Sequence, residues 1–226
     1  MLRFSKKHNY PGLLICVEGI DGSGKSTQIE LLYSWLKSKK IDTILTQWNS
    51  SDLIANTTKK AKKKNLLSGR TFSLLHAVDF ADRLEQTIKP ALKAGFIVLA
   101  DRYFYTALAR DVARGVDGDW VRNMYSFAIE PDLTFYFDIS PKDSLERICS
   151  NRQPKFYEAG MDMKLSNNPY KSYILFQNRI VEQYNEMVEE FDLIKINALD
   201  SIYSKQSFMR EKVIELFNKN KIKIEQ

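Results

Sequence analysis

Short apolar runs alternate along the chain with longer stretches in which apolar residues recur at helical spacing. The runs are residues 13–17, 43–46, 96–100, 133–139 and 193–196. They are short and rich in aliphatic or aromatic residues, and so predict buried strands. Helices are predicted over 25–38, 71–93, 103–114, 119–127, 141–151, 170–190 and 202–218. In the first, Ile29, Leu32 and Leu36 fall on one face; in the second, Leu74, Leu75, Val78, Leu84 and Ile88 supply the apolar positions. Strands that alternate with helices imply right-handed crossovers and a parallel sheet. The expectation is an α/β fold: a three-layer α/β/α domain around a parallel sheet of about five strands. No repeat or flexible linker interrupts residues 1–226, which read as a single domain. In such sheets ligands bind beyond the carboxyl ends of the strands.

Composition narrows the class. Of 226 residues, 44% are hydrophobic and 27% charged, which suits a packed core and argues against disorder. The net charge of +6 suits an anionic ligand such as a nucleotide. No apolar stretch is long enough for a signal-peptide core or a membrane span, so a soluble cytoplasmic protein is expected. Cys16 and Cys149 have no Cys or His neighbour at metal-ligand spacing and read as two buried, reduced thiols. The run Lys59-Lys60-Ala61-Lys62-Lys63-Lys64 reads as a solvated helix or loop face near the substrate cleft. No aromatic residue interleaves with it, which disfavours nucleic acid as a partner. His76 reads as a packing residue rather than a base.

Chemistry enters at Gly19-Ile20-Asp21-Gly22-Ser23-Gly24-Lys25-Ser26, which fits G-x-x-x-x-G-K-[ST] and is followed by Thr27. The motif leaves a predicted strand and opens a predicted amphipathic helix, the context a phosphate-binding loop requires. Glycines let the backbone curl until its N–H groups point at phosphate oxygens, and the helix N-terminus adds unpaired donors. Lys25 supplies a point charge to the β and γ phosphates, and Ser26 offers a hydroxyl to Mg²⁺. Asp101 ends another apolar run. It can hold Mg²⁺ directly or through water, or it can cap the helix that follows. Arg102, next in line, can clamp phosphate oxygens or form a surface ion pair. These residues predict a P-loop NTPase fold that uses MgATP.

The segment Val17 to Thr27, together with Ile88-Lys89-Pro90-Ala91-Leu92, Asp101-Arg102-Tyr103, Pro131-Asp132-Leu133 and Leu145-Glu146-Arg147, resembles the thymidylate kinase family. The resemblance implies ATP as donor and a pyrimidine nucleoside monophosphate, dTMP, as acceptor. The products would be ADP and dTDP, on the route to dTTP. It also implies a mobile helical lid, here about residues 151–168, and a helix-mediated homodimer. Asp21 matches the acidic P-loop residue that approaches the acceptor sugar. Gly22 follows it, so the P-loop carries no arginine and resembles the type in which the lid supplies one. Arg152 is the first candidate, with Arg147, Lys155 and Lys164 behind it. Gly160 and the pair Phe156-Tyr157 suit a loop that closes over a ligand.

The acceptor side departs from the family pattern. Gln47-Trp48-Asn49-Ser50-Ser51 stands where the family has an arginine-glutamate-proline-glycine run. Asp79 matches an aspartate of the long helix, but Phe80 replaces the arginine after it, with Arg83 one turn along. Arg110 and Asp111 replace a tyrosine and glutamine, and Thr106 keeps a hydroxyl where the family has serine. The acceptor candidates are therefore Asp21, Trp48, Asp79, Arg83, Tyr103, Thr106 and Arg110. Two readings stay open: dTMP bound through these replacements, or a related kinase whose acceptor is another pyrimidine nucleotide or a nucleoside in DNA. A non-catalytic nucleotide-binding or nucleic-acid-binding protein is the third, against which Lys25, Ser26 and Asp101 argue.

Overall fold

The computed structural model describes residues 7–64 and 67–222. The first half of the basic N-terminal stretch, residues 1–6, lies outside the described residues. Five strands, β1 (Leu13–Glu18), β2 (Thr43–Gln47), β3 (Ile97–Asp101), β4 (Leu133–Asp138) and β5 (Ile194–Asn197), form a parallel sheet in the order β2-β3-β1-β4-β5. Every residue of β1 is buried, as a central strand covered on both faces should be. The strand expectations hold in position to within a residue or two at their ends, but β2 and β5, at the two edges of the sheet, are only partly buried.

The helices are α1 (Lys25–Ser38), α2 (Ala55–Lys63), α3 (Gly69–Arg83), α4 (Lys89–Lys93), α5 (Phe104–Ala113), α6 (Gly118–Met124), α7 (Pro141–Cys149), α8 (Pro169–Glu190) and α9 (Ile202–Lys219). α1 packs against β1, β2 and β3 and against α9, which reaches β4. A second group gathers around α5, which contacts α3, α6 and α8. The α/β expectation is met. Helix starts follow cap chemistry: the side chains of Ser68, Asp117, Ser140, Asn168 and Ser201 each accept an N–H of the first turn. Pro141 and Pro169 then occupy first-turn positions, where a missing N–H costs nothing.

Several expectations need correction. The long helix of 71–93 is three pieces, with a π turn at Leu84–Ile88 between α3 and α4. On α3 the buried side chains are Phe72, Ser73, His76, Asp79, Phe80 and Arg83, while Leu74 and Val78 are 48% and 42% exposed. The buried face is lined by polar and aromatic groups because it meets the functional cleft and the β2 loop rather than a purely apolar core. Cys149 is exposed at the end of α7, so only Cys16 is a buried thiol. The lid segment is mostly turns and contains one 3-10 turn, Met161–Met163, rather than a helix.

Strand register sets up the site. Val17 of β1 lies opposite Asp101 of β3, and Gln47 of β2 lies opposite Asp101 on the other side. The carboxyl ends of three strands therefore reach one level, and the P-loop, the turn after β3 and the β2 loop open from it together.

Candidate active site

A cleft of about 1250 Å³ opens beyond these strand ends, large for one small molecule and suited to two. Its donor wall is the P-loop. Gly22 has φ 76°, and a Cβ there would meet the Ser144 carbonyl at 2.9 Å, so both conformation and space require glycine. Ser144 Oγ and Tyr173 Oη donate to the Asp21 carbonyl and hold the loop backbone from outside. Lys25 Nζ donates to the Ile20 carbonyl at 3.0 Å. Burial, then the nearby Arg102 guanidinium, lower its ammonium to about 8, with Asp21 and Asp101 acting in the opposite direction. Ser26 Oγ donates to Asp101 Oδ2 at 2.8 Å, and Asp101 Oδ1 is buried with no hydrogen-bond partner among the described residues. An orphaned carboxylate oxygen beside a serine hydroxyl, at the mouth of a phosphate loop, fits a hard divalent cation carried by the nucleotide.

Across the cleft, Arg102 Nη2 donates to Asp21 Oδ1 at 2.6 Å, and Arg110 Nη2 donates to the other oxygen. Burial alone would raise the Asp21 carboxyl; Arg110, Arg102 and Lys25 outweigh it and hold the group well below the usual carboxylate range. Burial works against the Arg102 charge, but Asp21 overcomes it and raises the guanidinium further. Arg102 sits at φ 74°, a left-handed conformation that is uncommon for a side-chain-bearing residue. Glu18 explains its persistence. This carboxylate is fully buried at the end of β1 and accepts from Tyr103 N (2.6 Å), Thr106 Oγ1 (2.7 Å) and Tyr184 Oη (2.7 Å). The residues that follow Arg102 are thereby tied down.

Of the sequence candidates, Asp21, Gly22, Gly24, Lys25, Ser26 and Thr27 line the cleft, and so do Trp48, Asp101, Arg102, Thr106, Arg110 and Arg152. Gly19, Ile20 and Ser23 lie behind the loop surface. Asp79, Arg83 and Tyr103 lie outside the lining, because each is spent on support. Asp79 accepts from Asn49 N and Ser51 N, at 3.0 and 2.9 Å, and shapes the loop that carries Trp48. Arg83 bonds Thr46 Oγ1 at 3.1 Å and sits 3.7 Å from Asp79. Tyr103 Oη donates to the Ile129 carbonyl.

The lid candidates separate. Arg152 lines the cleft and forms a two-pronged pair with Glu158 at 2.7 and 3.0 Å, which raises its pKa. Lys155 also lines the cleft, 3.8 Å from the same carboxylate. Arg147 instead donates to the Ala198 carbonyl, and Lys164 lies outside the lining. The lid is docked by Arg114, whose Nη2 donates to the Tyr157 carbonyl at 2.8 Å and whose Nε donates to Asp162 at 2.9 Å. Its guanidinium lies over the Phe72 and Phe176 rings, at 4.8 and 4.6 Å.

Sequence reasoning missed Glu18, Phe72, Arg114 and Glu158. Arg114 caps α5 four residues after Arg110, a same-face spacing that could have flagged it. Glu18, a carboxylate closing a fully apolar run, was a comparable signal. The lysine run lies on α2 and just after it. Lys59, Lys60, Lys63 and Lys64 are exposed and Lys62 is half-buried; Lys59, Lys62 and Lys63 also line the cleft, so the run is a solvated face that borders it. His76, expected to pack, is buried and also lines the cleft.

Residues 17–209 match the family model described as thymidylate kinase. Among curated proteins, the chain is 52% identical over 180 residues to a probable thymidylate kinase 2 of Saccharolobus solfataricus, covering 79% of this chain and 84% of the relative. It is 36% identical over 200 residues to a probable thymidylate kinase of Thermococcus onnurineus, covering 84% and 91%. A thymidylate kinase of Halothermothrix orenii is 34% identical over 193 residues, covering 83% and 89%. With its P-loop, its Asp101-Arg102 turn and its parallel sheet, the chain belongs to the thymidylate kinase family.

Proposed function

We infer that this protein transfers the γ-phosphoryl group of ATP to dTMP, giving ADP and dTDP, a step toward dTTP. The observation that carries the reading is one cleft with two charged walls: Lys25, Ser26 and Asp101 on the P-loop side, and the Asp21–Arg102–Arg110 cluster facing them. In the transfer, an oxygen of the dTMP phosphate bonds to the γ-phosphorus. The bond from that phosphorus to the bridging oxygen breaks, and ADP leaves with its electron pair. The acceptor oxygen is already ionised at neutral pH, so no general base is needed. Catalysis is positioning and charge stabilisation.

Each residue has a share in this reading. The P-loop backbone from Gly19 to Thr27 cradles the donor phosphates, and Lys25 neutralises the β and γ groups. Mg²⁺ bound with ATP supplies charge neutralisation on the phosphates, and Ser26 and Asp101 would hold it. Arg102 and Arg110 orient the acceptor phosphate, pre-aligned by Asp21, whose carboxylate also lies near the acceptor sugar. Arg152 in the lid, 151–168, stabilises the migrating group. Trp48 and Thr106 form part of the acceptor wall. Asp79, Arg83 and Tyr103 act from behind, holding the loops that carry those groups.

The described residues then work as one kinase domain. Leu74 and Val78, one turn apart on α3 and half exposed, support a homodimer formed through that helix. No helix among the described residues is long and apolar enough to cross a membrane. A cytoplasmic location follows from the nucleotide substrates proposed.

A coupled ADP-release assay over the common nucleoside monophosphates tests the function. Turnover is expected with dTMP above all others. Turnover with none of them sinks the proposal, and clear preference for a different acceptor moves the protein to another kinase specificity.

A further inference from the structure

A buried acid–imidazole pair stands on the acceptor side of the cleft, and the mechanism above does not use it. His76 of α3 and Asp111 of α5 have side chains 2% and 0% exposed, with Nδ1 of the ring 3.4 Å from Oδ1 of the acid. The other acid oxygen accepts from Ser73 Oγ at 2.7 Å, which fixes the carboxylate in place. Nδ1 and Oδ1 are sealed from solvent, and neither makes a well-aligned hydrogen bond among the described residues, so the 3.4 Å approach leaves each facing the other. Phe72 and Trp48 meet the imidazole edge-on at 4.3 and 5.4 Å and limit its rotation. The ring nevertheless borders the cleft.

We infer that the His76–Asp111 pair reads the acceptor base: Asp111 holds the imidazole Nδ1–H, and Nε2 is presented as a hydrogen-bond acceptor to a pyrimidine that carries a proton at N3. The inference rests on the kinase reading above and deepens it. A buried carboxylate accepts only, so the ring nitrogen facing it must be the donor, and in a neutral ring the other nitrogen then carries the lone pair. Burial lowers the imidazole pKa; Asp111 opposes this, while Lys62 and Arg114 add to it. Those cations come from α2 and α5 and stand over the neighbouring Phe72 ring at 4.9 and 4.8 Å. A neutral ring between two cations is the electrostatically favoured state.

The chemical consequence is discrimination. Thymine and uracil carry N3–H, a donor that matches the lone pair. Cytosine has a lone pair at N3, so two acceptors would face each other, and both would lose their hydrogen bonds to water without compensation. Asp111 is a positioning residue here; His76 is the one that touches the base.

Two measurements test this on the full-length protein. ¹⁵N NMR of the imidazole in the free wild type reports its tautomer, with Nδ1 protonated and Nε2 unprotonated at neutral pH as the expected result. Steady-state kinetics with dTMP, dUMP, dCMP and N3-methyl-dTMP reports discrimination. Wild type should prefer dTMP over dCMP and N3-methyl-dTMP by about 10²-fold or more in kcat/KM. In His76→Phe, which keeps an aromatic ring, the dTMP value should fall by about 10-fold or more and the preference should shrink to within about 10-fold, with KM for ATP unchanged. Asp111→Asn should weaken the preference and shift the tautomer signal. An imidazolium or Nε2-protonated ring in wild type overturns the inference. So does a folded His76→Phe variant with the wild-type dTMP-to-dCMP ratio while wild type phosphorylates dTMP. Absence of turnover with every pyrimidine nucleoside monophosphate instead overturns the kinase reading itself and the inference with it.

Discussion

Arg102 reaches from the turn after β3 to Asp21 inside the P-loop, at 2.6 Å, and Arg110 of α5 closes on the same carboxylate. One acid therefore couples the P-loop to the turn after β3 and to α5, and sets the spacing between two guanidinium groups. Such preorganised charge is the main means available to a phosphotransferase.

Asp21→Asn keeps the volume and removes the charge. Turnover should fall by about 10²-fold with little change in KM for ATP, since the P-loop backbone stays in place. A pH effect accompanies it. The folded-state pKa of Asp21 is depressed by Arg110, Arg102 and Lys25 against the effect of burial, so its contribution to stability is full above the unfolded carboxylate range. That contribution is lost as pH falls through the strongly acidic folded value. Urea denaturation at about pH 7 and about pH 2 should show wild type losing more stability over this interval than the variant. Equal losses would remove Asp21 from the account.

Lys25, with its ammonium lowered to about 8, is partly neutral in mildly alkaline solution. Phosphates favour the charged form, so ATP binding should take up a proton above that value, and affinity should weaken as pH rises past it. Calorimetry in buffers of different ionisation enthalpy measures the uptake directly. Lys25→Ala should abolish turnover while leaving the cooperative unfolding transition in place. A flat affinity profile across that pH range would contradict the assignment.

Glu18 holds the left-handed Arg102 turn through Tyr103 N and Thr106. Glu18→Gln would aim an amide at groups that are themselves donors, leaving at least one unsatisfied in the core at a cost of about 2 kcal/mol. Denaturant midpoints should drop accordingly, and kcat should fall beyond what lost stability explains. Normal turnover in a folded variant would mean the turn holds itself.

Gly160 has φ 62°, and a Cβ would come within 2.5 Å of the Phe176 ring. Gly160→Ala should undock the lid, increase its protease cleavage and lower kcat. Arg152→Ala should lower kcat by about 10²-fold without the cleavage change. If Arg152→Ala turns over at the wild-type rate, Lys155 becomes the next lid cation to substitute.

Val78→Asp places a charge on the exposed face of α3. Light scattering coupled to gel filtration should show a dimer for wild type and a monomer for the variant. A monomeric wild type would leave Leu74 and Val78 as ordinary exposed side chains.

Much of this architecture was legible before folding. Each strand is a short run rich in aliphatic or aromatic residues, and Gly22, Lys25 and Ser26 meet local needs of a phosphate loop that depend on spacing alone. The α3 segment shows where that reading stops. Its apolar residues Leu74 and Val78 face outward, while Ser73, His76, Asp79 and Arg83 face inward, because each inward polar group has a counterpart on another element. Periodicity counts apolar residues and cannot see those counterparts.

The linear order of residues was enough for the strands, the phosphate loop and the Asp101-Arg102 turn, since each depends on neighbours within a few positions. Tertiary structure decided which charges meet. Asp21 with Arg110, His76 with Asp111 and Arg114 with Asp162 are separated in sequence by 89, 35 and 48 positions. Their meeting depends on the β1–β3 register and on how α3 and the lid pack against α5. Charge on a side chain is a local property, but in a low-dielectric cleft its effect is set by what stands within a few ångströms, and only the packed chain determines that.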